Sequence, residues 1–116
     1  MLTIKEVAER ASISPSTIRY YDDQGLLPFV QRDKNGYRLF KEEALFWLEF
    51  IGIMRSVGMS VKTLQRFTQL QMKGDETLDE RMQIFNEHQE KLRTQKNEIE
   101  VALGKLEVII KVFKFL

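Results

Sequence analysis

Ser16, Thr17, Arg19 and Tyr20 lie within the run Ser14-Pro15-Ser16-Thr17-Ile18-Arg19-Tyr20-Tyr21-Asp22-Asp23-Gln24-Gly25, bringing hydroxyls and a guanidinium to one short stretch. These groups hydrogen-bond phosphate oxygens and base edges. A second set, Arg32, Lys34, Tyr37 and Arg38, follows at once. The chemistry these residues suggest is recognition rather than turnover. The sequence has no nucleophile with a neighbouring base, no paired carboxylates in an apolar context and no phosphate-binding glycine loop, so an enzyme is not expected. With no cysteine, disulfides, thiolate metal sites and thiol redox sensing are excluded, and the single histidine, His88, cannot make a metal site. Neither a metal nor another cofactor is expected.

The residues that must position the first set carry their own boundary signals. Ser14 is a good N-cap, Pro15 suits the first helical position, and Gly25 can close the helix from a left-handed position. Upstream, Thr3-Ile4-Lys5-Glu6 has capping-box spacing and predicts a helix from about Ile4, with Ile4, Val7, Ala8 and Ala11 on one face. Ser12-Ile13 then turns the chain into Ser14. In the second helix Ile18 and Tyr21 fall three apart and can face the first helix, which leaves Ser16, Thr17, Arg19 and Tyr20 outward. This is the helix-turn-helix pattern of major-groove readers. Between Phe29 and Phe40, Asn35-Gly36 predicts a hairpin closed by a type I′ turn, giving a two-stranded ribbon with Lys34, Tyr37 and Arg38 at its tip.

Charge follows the same division. Residues 1–41 carry seven basic and five acidic side chains, residues 42–74 four and three, and residues 75–116 seven and nine, so the net charge of +1 conceals a change of sign along the chain. Between residues 19 and 41, Arg19, Arg32, Lys34, Arg38 and Lys41 outnumber Asp22, Asp23 and Asp33. That modest basic surface suits specific contact better than indiscriminate polyanion binding.

Thr17-Ile18-Arg19-Tyr20-Tyr21, then Gly25-Leu26-Leu27-Pro28, then Arg32 with Gly36-Tyr37-Arg38 and Phe40, resembles the MerR family of bacterial transcription regulators. The resemblance implies a winged-helix DNA-binding domain, two further helices and a long helix that pairs antiparallel with a second copy. It further implies a homodimer that binds a pseudo-palindromic promoter site, bends and untwists it, and lets RNA polymerase engage both promoter elements. By position, Ser16, Thr17 and Arg19 become base or phosphate contacts, Tyr20 a phosphate contact, and Tyr37 and Arg38 wing contacts. Phe40 stands where a tyrosine is usual, and Phe29-Val30 replaces a more polar or proline-containing segment. Gly58-Met59-Ser60 and the segment from Gly74 to Arg81 also resemble the stress-responsive branch. The aldehyde-responsive members carry a cysteine in the third helix at the position of Ile53 here, so their thiol mechanism does not transfer.

The rest of the chain is expected to be helical. Lys41-Glu42-Glu43 opens a helix with Ala44, Trp47, Leu48, Ile51, Met54 and Val57 on one side and Gly58 as its stop. Ser60 caps another, which Lys73-Gly74 closes. Met54, Met59, Met72 and Met82 with Phe46, Trp47, Phe50 and Phe67 read first as core, and Trp47 and Phe67 are the candidate lining of an effector pocket. Tyr21 reads as a core contact. From Leu78 the apolar residues keep heptad spacing, with Leu78, Phe85, Leu92, Ile99, Leu106 and Phe113 at d and Met82, Leu103 and Ile110 at a. Gln89 and Lys96 interrupt the a positions and Gly104 weakens the helix. A helix over Leu78 to Phe113 would span about 54 Å and cannot stand alone in water, because its apolar stripe needs a partner. Val108, Val112, Phe115 and Leu116 form a second stripe, expected to pack on the partner's DNA-binding half.

The fold class expected is therefore mainly α: a winged helix-turn-helix domain with two linking helices over residues 1–74, and a coiled-coil dimerisation helix over 75–116. At 116 residues the chain suits one core plus an extension. No run of roughly 18 apolar residues and no signal-peptide pattern occurs, so the cytoplasm is the expected location. With no effector domain expected after the dimer helix and no cysteine, any effector is expected to bind by shape and hydrogen bonds, or there is none. Two other readings remain open from the residues: an architectural DNA-binding protein of the excisionase type, and a coiled-coil interaction module with a vestigial helix-turn-helix.

Overall fold

The computed structural model describes residues 1–116, which divide into two compact units, Met1–Arg81 and Met82–Leu116. The first begins with a two-residue strand β1 (Leu2–Thr3) and helices α1 (Ile4–Ala11) and α2 (Pro15–Asp23). The capping box forms as expected: the Thr3 amide donates to Glu6 Oε1 at 3.0 Å, and the Glu6 amide donates to Thr3 Oγ1 at 3.2 Å. Ser12 ends α1 in the left-handed region (φ 55°), which turns the chain sharply into α2. At the other end of α2, Gly25 (φ 74°) closes a Schellman motif. In it the Gly25 amide donates to the Asp22 carbonyl and the Leu26 amide to the Tyr21 carbonyl.

The ribbon is built from β2 (Gln31–Arg32) and β3 (Arg38–Phe40). It differs from the sequence expectation in two respects. First, β1 pairs antiparallel with β3, Leu2 opposite Phe40, so the sheet has three strands in the order β1-β3-β2 and β3 is central. Second, the turn is not type I′. Asn35 has no positive φ; the Gly36 amide donates to the Asp33 carbonyl, and Gly36 alone is left-handed (φ 86°). This is a type I turn followed by a left-handed residue, the three-residue hairpin loop. The Asp33 carboxylate selects it by accepting from the amides of both Asn35 (2.8 Å) and Tyr37 (3.0 Å).

Helices α3 (Glu43–Ser56) and α4 (Val61–Lys73) follow, the latter capped by Ser60, whose hydroxyl accepts from the Thr63 amide. A short 3₁₀ turn, Asp75–Thr77, leads into α5 (Leu78–Lys114), 37 residues long and about 55 Å from end to end. The core of the first unit is made by Val7, Ile18, Leu26, Phe40, Leu48, Ile51, Met59 and Leu64, each almost completely buried and together drawn from every major element before α5. Two hydrogen bonds tie α4 to the end of the helix-turn-helix: Gln65 Nε2 donates to the Gln24 carbonyl at 2.8 Å, and the buried Thr68 hydroxyl to the Leu26 carbonyl at 3.1 Å.

Arg81 fixes the start of α5. Its guanidinium donates to the Thr77 hydroxyl, to Gln71 Oε1 at 2.6 Å and more weakly to the Gly74 carbonyl at 3.4 Å. The buried Thr77 hydroxyl in turn donates to the carbonyls of Leu70 and Gly74. Within the second unit, Leu92, Ile99, Leu103, Leu106, Ile110 and Phe113 are all exposed, as are Val108, Val112, Phe115 and Leu116. Lys96, which breaks the apolar spacing, has Glu100 one turn on at 4.0 Å. No helix is long and apolar enough to cross a membrane.

Candidate nucleic-acid interface

Burial of Ile18 fixes the rotation of α2. With Ile18 turned into the core, Ser16, Arg19 and Tyr20 are exposed and Thr17 is half-buried. Tyr21 is half-buried against the neighbouring Tyr20 ring. The first turn of α2 presents a cluster of hydroxyls. Ser14 Oγ accepts from the Thr17 amide at 3.2 Å and shares hydrogen bonds with Thr17 Oγ1 (2.8 Å) and Ser16 Oγ (3.1 Å). Such a cluster at a helix N-terminus, where backbone amides point outward, suits an anionic partner.

Arg19 lies on one hollow of about 420 Å³ with the ribbon residues Arg32, Tyr37 and Arg38 and with Thr3 and Lys5 at the start of α1. The structure thus brings one α2 candidate, Arg19, together with three of the ribbon candidates. Ser16, Thr17, Tyr20 and Lys34 do not line that hollow. Lys5 does, although its position gave no sign of it in sequence, because only the docking of α1 beside the ribbon places it there. Tyr37 is 71% exposed, which is unusual for so large a ring and leaves its face and hydroxyl available. Arg32 braces the turn by donating to the Gly36 carbonyl at 2.7 Å.

Arg38 is placed differently from its expected position at the ribbon tip. It lies in β3, and its guanidinium points back to the end of α2, where Nε donates to Asp22 and a terminal nitrogen to Asp23, each at 2.7 Å. Only 14% of the side chain is exposed, and Asp22 is similarly covered at 17%. The Asp22 hydrogen bond holds the Arg38 guanidinium above its ordinary pKa despite partial burial. The two effector-pocket candidates pack ring against ring, with centroids 6.1 Å apart. Trp47 lines a hollow of about 300 Å³ with Pro28, Phe29, Phe40 and Gln71, whereas Phe67 is buried in an aromatic cluster with Trp47 and Phe50 and does not line it.

Comparison with known proteins places this geometry. A family model described as MerR family regulatory protein matches residues 3–40, the span from the capping box through the ribbon. The chain is 35% identical to HiNmlR, a MerR family regulator lacking the sensor domain whose crystal structure is bound to promoter DNA; the match covers 97% of this chain and 89% of that one, with a TM-score of 0.71. The chain belongs to the MerR family. It is also similar to an uncharacterised HTH-type transcriptional regulator of Haemophilus influenzae, 37% identical over 105 residues that make up 90% of this chain and 78% of that protein. A MerR family transcriptional regulator from Listeria monocytogenes is 34% identical, covering 95% of this chain and 83% of that one, with a TM-score of 0.76. The chain is accordingly a transcriptional regulator of the MerR family with a winged helix-turn-helix and a long C-terminal helix.

Proposed function

We propose that this MerR family member works in the cytoplasm as a homodimer that binds a pseudo-palindromic promoter site, distorts it, and so controls engagement by RNA polymerase, rather than as an enzyme. In this reading residues 1–74 are the DNA-binding part and residues 75–116 the dimerising part. Helix α2 enters the major groove, with Ser16, Thr17 and Arg19 against base edges or phosphates and Tyr20 against a phosphate. Arg32, Lys34 and Tyr37 on the ribbon grip the flanking backbone. Leu78, Met82, Phe85, Leu92, Ile99, Leu103, Leu106, Ile110 and Phe113 pair antiparallel with the second copy. The observation that carries the reading is the single concave surface shared by Arg19 of α2 and Arg32 and Tyr37 of the ribbon. It is supported by the likeness to a family member whose structure is bound to promoter DNA.

Distortion requires deformation energy of several kcal/mol, which phosphate contacts from two units held at fixed separation can supply. The 37-residue helix suits that spacing role and is longer than a monomeric architectural protein would need. The test is a titration of inverted-repeat promoter DNA at several salt concentrations with the wild-type chain and Arg19→Ala. Loss of one phosphate contact should lower the slope of log affinity against log salt by about 0.9 per site, whereas loss of a base contact should relax sequence preference with the slope unchanged. An Arg19→Ala protein with both affinity and preference intact would remove α2 from the interface.

A further inference from the structure

Asp22 and Asp23 are locally ill-placed. They are the last two residues of α2, where carboxylates oppose the partial negative charge of the helix C-terminus, and they lie on the helix proposed to approach an anionic duplex. A second misfit lies in the ribbon, where Arg32 of β2 is directly opposite Arg38 of β3, a like-charged cross-strand pair that destabilises a sheet. One contact resolves both. Arg38 gives Nε to Asp22 and a terminal nitrogen to Asp23, each at 2.7 Å, while Arg32 is the more exposed member of the strand pair and donates to the Gly36 carbonyl. Departures from local preference that a tertiary contact repairs mark places where the molecule needs that contact.

We infer that Arg38 is a positioning residue: with Asp22 and Asp23 it clamps the ribbon to the end of the recognition helix and so sets the spacing between base reading and backbone grip. The inference rests on the promoter-binding reading above. Arg38 adjoins the exposed Tyr37 in sequence, so fixing its guanidinium on α2 fixes where Tyr37 and Arg32 stand relative to Arg19. Guanidinium is the group suited to this task, because its planar fork reaches two carboxylates at once from one side chain, which a single ammonium on a flexible stem does not reproduce. Most of its surface is covered, so its charge is used within the protein rather than offered to a phosphate.

The clamp and a direct phosphate contact predict opposite signs for one substitution. Asp22→Asn removes negative charge beside the duplex. If Arg38 bound phosphate, the freed guanidinium would make binding tighter, and Arg38→Lys would remain close to wild type. The clamp instead predicts that Asp22→Asn weakens binding about tenfold, that Arg38→Lys does not restore it, and that Asp22→Asn with Arg38→Gln is no worse than the poorer single variant, as coupled partners require. Asp23→Asn, whose carboxylate is 63% exposed, should have a smaller effect in the same direction. Fluorescence anisotropy with inverted-repeat promoter DNA reads the affinities, and circular dichroism confirms that each variant is folded. Hydroxyl-radical footprinting separates positioning from general weakening: flanking protection by the ribbon should fade while protection at the half-site centres persists. Tighter binding by Asp22→Asn, or uniform loss of the footprint in folded Asp22→Asn and Asp23→Asn proteins, overturns the clamp. A wild-type protein that protects no promoter DNA overturns the underlying reading and the clamp with it.

Discussion

Glu6 shows how far a single exposed side chain can be read from its neighbours. The Thr3 amide donates to its carboxylate and holds it below the ordinary glutamate value of 4.5, with the Thr3 hydroxyl as the second contributor and Arg10 as a lesser one. Because the folded value lies below the unfolded one, the cap stabilises α1 fully above the ordinary value and loses its effect as pH falls through the lowered one. Site-resolved carboxyl titration by NMR should find Glu6 titrating below the ordinary glutamate value of 4.5, and Thr3→Val, which removes the hydroxyl but keeps the amide, should move it part of the way back up. This pair was legible because its members are three residues apart. Arg38 was not, since its carboxylate partners lie fifteen and sixteen residues away and only the docking of β3 on α2 brings them within reach. The sequence could place Arg38 on the ribbon; it contained no local mark that the guanidinium would turn inward.

At the scale of elements, the ribbon is where expectation and structure part. Asn35-Gly36 correctly announced a hairpin, but the Asp33 carboxylate captured two amides and drew the loop into a type I turn with only Gly36 left-handed. A Cβ at Gly36 would meet no atom within 4 Å, so the cost of Gly36→Ala is set by its φ of 86° alone. That cost should be about 1–2 kcal/mol, read as a lowered midpoint in thermal or urea denaturation. An unchanged midpoint would mean that the loop takes another form. Strand β1 escaped sequence reading because two residues are too few for any alternation to show, and its pairing depends on α1 carrying Leu2 to Phe40. The helices were more readily placed. Their caps Ser14 and Ser60 and their stops Gly25 and Gly58 are local chemistry, while the apolar faces they delimit bury Ile18, Leu48, Ile51 and Leu64.

For the whole molecule the decisive feature is the exposed apolar surface of α5. Leu92, Ile99, Leu103, Leu106, Ile110 and Phe113 stand exposed along one chain, more contiguous apolar surface than a soluble monomer ordinarily presents. The proposed self-pairing would cover it and would supply the two reading units that the proposed promoter site needs. Leu92→Asp with Ile99→Asp should leave the first unit folded yet give a monomer by analytical ultracentrifugation, with operator affinity falling towards that of one isolated unit. A double variant that still sediments as a dimer would place the interface elsewhere on the chain. Lys96 is the polar interruption to watch in such a dimer, and the structure gives it an intrahelical neighbour in Glu100 that can moderate lysine facing lysine across the axis.

Helix α2, its exposed Ser16, Arg19 and Tyr20, the two linking helices and the heptad run of α5 are all determined by the sequence alone, because caps, glycine stops and apolar spacing act within a few residues of one another. What only the tertiary structure decided is how those parts are held: the third strand behind the ribbon, the use of Arg38 on Asp22 and Asp23 rather than at the tip, the arrival of Lys5 beside Arg19, and the Arg81 hub at the start of α5. The physical reason is range. Local signals fix backbone conformation and which face is apolar, whereas a charged side chain's partner depends on where the buried core, built from Ile18, Leu26, Phe40 and Leu48, brings distant segments to rest.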